Sequence, residues 1–81
     1  MKLPRDIGGE ELAALLDKYG YRIARQTGSH FRLTSNAKGT EHRITIPRHK
    51  PLRVGTLNSI LNDVTSYLEM KKQELIEKLF R

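Results

Sequence analysis

The chain contains no cysteine among its 81 residues, which excludes a disulfide framework and a zinc site built on thiolates. It has no apolar run near the roughly 18 residues of a membrane span. The opening Met1-Lys2-Leu3-Pro4-Arg5-Asp6 lacks the apolar centre of a signal peptide. The expectation is a soluble, cytoplasmic domain with no membrane contact. Glycine-rich phosphate loops of the P-loop or dinucleotide type are also missing. Acidic residues are nearly absent from the middle of the chain, where Glu41 stands alone between residues 20 and 56. That removes a catalytic carboxylate pair there, and equally a hard-cation site built from Asp and Glu. At this length folding buries roughly 60% of the unfolded surface, enough for one domain, expected to span residues 1–81, with one modest core.

Positive charge is what the chain has in excess, and it is unevenly placed. Fifteen Lys and Arg against nine Asp and Glu give +6. Residues 1–19 are net −1 and residues 57–81 are net 0. Residues 20–56 carry eight basic groups against one acid, net +7, and hold all three histidines, His30, His42 and His49. A surface that binds a polyanion is the natural reading of such a segment; a merely solubilising face is the alternative.

Periodicity outlines the elements. Leu12, Leu15, Leu16 and Tyr19 recur at helical spacing from Gly9 onward, Glu10 and Glu11 suit the positive N-terminal end, and Gly20 stops the helix. Three short strands follow. Tyr21 to Gln26 alternates with Tyr21 and Ile23 on one face and Arg22, Ala24 and Gln26 on the other. Ser29 to Thr34 places Phe31 and Leu33 inward, with His30, Arg32 and Thr34 outward. His42 to Pro47 places Ile44 and Ile46 inward, with Arg43 and Thr45 outward. After a basic loop, a second helix opens near Thr56 and buries Leu57, Ile60, Leu61 and Val64. It either gives way to a new helix capped at Ser66 or runs through Leu68 and breaks near Met70. Leu75, Ile76, Leu79 and Phe80 form a last amphipathic stretch. The fold class is α+β, α-β-β-β-α with a short extra C-terminal helix. A three-stranded antiparallel sheet has helices on one face and leaves His30, Arg32, Arg43 and Thr45 on the other.

Two features carry candidate chemistry. In Gly28-Ser29-His30 the glycine allows a tight turn, Ser29 offers a hydroxyl, and His30 projects from a polar strand face. An imidazole with a pKa near 6.5 exchanges a proton at neutral pH, and Arg and Lys can hold a phosphate beside it. Those are the minimum parts for cleaving RNA without a metal. The other reading of His30 is an incidental surface residue. Pro47-Arg48-His49-Lys50, followed by Gly55-Thr56-Leu57, reads as a phosphate-gripping loop that feeds a helix N-terminus, or simply as a strand-to-helix connection. His30, His42 and His49 are spaced 12 and 7 apart amid arginines, which disfavours a metal site.

Taken in order, Gly20-Tyr21, Arg25-Gln26-Thr27-Gly28-Ser29-His30, Ile44-Thr45-Ile46-Pro47-Arg48-His49 and Val54-Gly55-Thr56-Leu57-Asn58-Ser59-Ile60-Leu61 resemble the HicA family of bacterial toxins across about residues 8–64. The resemblance implies a double-stranded-RNA-binding-domain-like fold and metal-independent cleavage of mRNA with no cofactor. It also implies a HicB-like antitoxin that covers the active face. It makes His30 the catalytic histidine, acting as general acid or base. Arg48, Lys50 and Arg32 become the expected phosphate contacts, with Ser29, Arg43 and His49 completing the RNA-binding set. His49 is either a loop residue or a second proton-transfer group. No small-molecule ligand is expected.

Two departures from the family pattern stand out. Glu69 and Lys71 occupy the break after the second helix, where the family usually has Gly and then a Ser or Thr cap. Arg43 stands where many members carry an apolar residue or His. A non-catalytic module that reads the shape of duplex RNA and an adaptor for an acidic protein are the rival readings.

Overall fold

The computed structural model describes residues 3–80. In order, the elements are α1 (Gly9–Leu16), a single 3-10 turn (Asp17–Tyr19), β1 (Arg22–Gln26), β2 (His30–Ser35), β3 (His42–Pro47), α2 (Val54–Leu68) and α3 (Lys72–Phe80). The strands form one antiparallel sheet in the order β1-β2-β3. The α+β order expected from the sequence, including the extra C-terminal helix, is the one the chain adopts.

The core lies between the helices and one face of the sheet. Leu12 and Leu16 of α1, Leu57, Leu61 and Val64 of α2, and Leu75 of α3 are fully buried, and they meet Phe31, Leu33, Ile44 and Ile46 of the two inner strands. Leu15 and Tyr19, which share the helical stripe with Leu12, pack only at its margin. Gly20 ends the first helical segment with φ 82°, a left-handed conformation open to glycine.

The N-terminus of α1 is tied to the loop after β3. Gly9 N–H donates to the His49 carbonyl at 2.9 Å and Leu52 N–H to that of Ile7 at 2.8 Å. Glu11 accepts from the Gly8 N–H at 3.0 Å and pairs with Lys50 at 3.4 Å. The approach is close enough that a Cβ on Gly9 would stand 1.9 Å from the Pro47 carbonyl oxygen.

Two local expectations change, in the first strand and at the start of the second helix, and of the two endings left open for that helix one is adopted. Strict alternation in the first strand fails because the register shifts between Ile23 and Arg25. Ile23 lies opposite Leu33 and Arg25 opposite Arg32, leaving Ala24 as the extra residue of a β-bulge. Residues directly opposite share a face, so Arg25 joins the outward side and Gln26, opposite Phe31, the helix side. Ile23 faces the helices yet is 50% exposed, because the helices cover β2 and β3 and leave the β1 edge open. The second helix begins at Val54, two residues before Thr56. It also runs unbroken through Leu68, so there is no new start at Ser66. Glu69 terminates it at φ 57°, and both the Glu69 and Met70 N–H groups return to the Thr65 carbonyl.

Candidate nucleic-acid interface

His30 begins β2 immediately after a turn that Thr27 organises. The Thr27 N–H donates to the His30 carbonyl at 2.9 Å. The Thr27 hydroxyl accepts from the His30 N–H at 3.0 Å and donates to the His30 carbonyl at 3.2 Å. Local bonding of this kind is what threonine hydroxyls do in turns, and it fixes the backbone from which the imidazole projects. The Ser29 hydroxyl lies 2.8 Å from His30 Nδ1. Gly28 has neither a positive φ nor any atom within 4 Å of where its Cβ would stand. The turn itself therefore does not require glycine, contrary to the expectation from the sequence.

Arg48, just past the end of β3 where Pro47 pairs with His30, braces the turn from the neighbouring strand. Its N–H donates to the Ser29 carbonyl at 2.9 Å, and its Nη1 donates to the Thr27 carbonyl at 3.1 Å. Its guanidinium carbon stands 5.0 Å from the centroid of the Phe31 ring, within cation–π range. The remaining guanidinium N–H groups stay available, since the side chain is exposed.

The sequence-derived site residues fall into separate places. His30 and Arg32 line a hollow of about 260 Å³ together with Arg25, Thr27 and Thr45 on the open sheet face. Arg48, His49 and Lys50 line a second, larger hollow of about 410 Å³ against Gly8, Gly9, Glu10, Glu11 and Ala14. The larger hollow mixes both signs of charge, whereas the smaller contains no carboxylate and holds the imidazole. The smaller one therefore has the composition suited to an anion. Arg43 is on the same open face but lies opposite Thr34, about 13 Å along the strand from His30, and its Nε is 2.9 Å from Glu41.

His42 sits at the other end of the sheet and is engaged structurally. Its Nδ1 is 2.7 Å from the Tyr21 hydroxyl, and its ring stacks on Tyr67 with centroids 4.6 Å apart. Burial, reinforced by Tyr67 and Asp63, pushes the Tyr21 phenol well above its ordinary value, so it remains a neutral hydrogen-bonding group. Among the described residues no three His, Asp or Glu side chains converge into a metal-binding cluster. Among the described residues no helix is long and apolar enough to cross a membrane.

Sequence reasoning missed Thr27 and Arg25. Thr27 was legible as a hydroxyl three residues before a strand-initiating His, the spacing of a side chain that bonds back to the main chain. Arg25 was hidden by the bulge, which no alternation pattern reveals.

A small α+β protein with a basic, histidine-bearing open sheet face is the class that fold and surface define. The chain belongs to the HicA toxin family of bacterial toxin–antitoxin systems: residues 9–65, from the start of α1 to near the end of α2, match the family described as HicA toxin of bacterial toxin–antitoxin. Membership brings with it an antitoxin as the partner. No curated protein and no solved structure matches the chain.

Proposed function

We propose that the protein is a metal-independent endoribonuclease toxin that acts on mRNA in the cytoplasm, without a cofactor, under the control of a HicB-like antitoxin. The observation that carries this reading is His30, placed on an open, cationic, carboxylate-free hollow with Nδ1 held by Ser29. Engagement at Nδ1 directs Nε2 outward as the reacting nitrogen.

In the proposed reaction His30 Nε2 takes the proton of a ribose 2′-hydroxyl. The 2′-oxygen then attacks the adjacent phosphorus, and the bond from phosphorus to the 5′-oxygen breaks. A 2′,3′-cyclic phosphate and a 5′-hydroxyl result, and the 5′-oxygen receives its proton from the imidazolium or from water. Arginine side chains stabilise the extra negative charge that builds on the phosphoryl oxygens. Arg32, beside His30, is the nearest such group in sequence. Arg48, Lys50, Ser29, His49 and, further along the face, Arg43 extend the RNA contact.

The reading is tested with purified toxin and a short RNA. Cleavage should persist in excess EDTA and vanish when the ribose at the cut site is 2′-deoxy. Cleavage of the deoxy substrate, or loss of activity in EDTA, overturns it. A His30→Ala variant that binds RNA normally, matched by a wild-type protein that never cuts, would indicate a non-catalytic RNA-binding module instead.

A further inference from the structure

We propose that Arg25, Arg32 and Thr45 form a clamp for a backbone phosphate of single-stranded RNA, and that the bulge at Ala24 exists in β1 to complete it. The three residues lie in one row across the sheet: Arg25 is opposite Arg32, and Arg32 is opposite Thr45. All three line the hollow that also contains His30, which is one same-face step along β2 from Arg32.

Two observations point to an anion. Like charges directly opposite on neighbouring strands repel, and among the described residues no carboxylate lies within ion-pair distance of Arg25 or Arg32 to offset that repulsion. A phosphate between the two guanidinium groups, with the Thr45 hydroxyl as a further donor, turns that repulsion into charge-assisted hydrogen bonding. The second observation is the bulge itself. Regular alternation would have pointed Arg25 toward the helices, beside Ile23. One extra residue re-aims it to the open face, which is a known use of bulges beside functional sites.

The clamp concerns the same site as the ribonuclease reading and takes the identity of its strand from it, but phosphate binding does not require that any bond be cut. The clamp is therefore tested on an oligoribonucleotide carrying 2′-O-methyl groups throughout, which cannot be cleaved by 2′-oxygen attack. Affinity is measured by fluorescence anisotropy across a salt series. Arg25→Ala and Arg32→Ala should each weaken binding about 10- to 100-fold and make the slope of log K against log salt shallower by about 0.7. Lys78→Ala, which removes the same charge from α3, should leave both unchanged. Arg25→Lys keeps the charge and guards against a fold defect. It should preserve the slope while losing part of the affinity, because an ammonium cannot form the guanidinium fork. Wild-type affinity and slope in Arg25→Ala, or failure of the wild-type protein to bind the probe, overturns the clamp. The expected pattern on the probe, together with a wild-type protein that leaves unmodified RNA intact, upholds the clamp and defeats the ribonuclease reading alone.

Discussion

The Ser29 hydroxyl lies 2.8 Å from Nδ1 of His30, and both residues adjoin the Thr27-organised turn. In the proposed mechanism the imidazole reacts through Nε2, and Ser29 sets which nitrogen is free. Replacing His30 with Ala should lower the cleavage rate by about 10² to 10⁴ while leaving the fold intact. Ser29→Ala should retain the base but lose one orienting bond, a reduction of about tenfold in kcat, or roughly 1.4 kcal/mol. Single-turnover cleavage with saturating enzyme separates the two. Equal loss in both variants would mean that Ser29 does more than orient the ring.

At the opposite end of the sheet Tyr67 closes the β2–β3 hairpin. Its hydroxyl accepts from the Lys38 N–H at 3.0 Å and reaches the carbonyl oxygens of Ser35 and Thr40, while its ring supports His42. Tyr67→Phe keeps the stack and removes the hydrogen bonds, so stability should fall by about 1–2 kcal/mol. Urea denaturation measures that loss. RNA cleavage under native conditions should be unaffected, because the cluster stands apart from His30.

The end of α2 offers the reverse experiment. Glu69 adopts φ 57°, a conformation unfavourable for a residue with a Cβ and ordinary for glycine. Its carboxylate stands 3.9 Å from Lys38 with both groups solvated, which contributes little. Glu69→Gly should therefore stabilise the protein by about 1 kcal/mol, or about 4–8 °C in Tm for a domain of this size. A lower Tm would show that the Lys38 pair outweighs the backbone strain.

Glu11 links the stability of the fold to pH. The Gly8 N–H, followed by Lys50, holds its carboxyl below the ordinary value of 4.5. Since the folded pKa is the lower one, the stabilisation is complete above the unfolded pKa and fades as pH falls through the folded pKa. Glu11→Gln should be less stable than the wild type at neutral pH, and the difference should narrow by roughly pH 3. Denaturant midpoints at the two pH values check the sign.

These residues also show where the sequence was readable. Elements buried on one side declared themselves: Phe31, Leu33, Ile44 and Ile46 alternate cleanly and point where alternation puts them. The outward set His30, Arg32, Arg43 and Thr45 follows by parity. The β1 edge strand did not behave this way, because it buries too little apolar surface to enforce a register and accommodates an extra residue at Ala24. The helix break was ambiguous because Ser66 and Glu69 fit a capping box. Packing of Leu68 and the left-handed turn at Glu69 decided it. The grouping of site residues into two hollows was illegible in one dimension. It depends on the Gly9-to-His49 and Leu52-to-Ile7 bonds that fold the basic loop against α1.

The partner supplies the last test. We expect the antitoxin to cover the open face, since a ribonuclease left unchecked would degrade the RNA of its own cell. Such an antitoxin must meet Arg25, Arg32 and His30. Burying unpaired guanidinium groups is costly, so its contact surface should present carboxylates or backbone oxygens to the Arg25–Arg32 row. Complementary charge would also speed encounter with the +7 segment of residues 20–56. Arg32 is suited to charge reversal because its side chain is exposed and carries no ion pair among the described residues. Arg32→Glu should slow antitoxin association and weaken RNA binding together, each by at least about tenfold. The effect on the antitoxin should shrink as ionic strength rises, because the long-range part is screened. Surface plasmon resonance over a salt series measures both rates. Loss of RNA binding with unaltered antitoxin kinetics would place the inhibitory contact on the helices, and occlusion of the sheet face would then be abandoned.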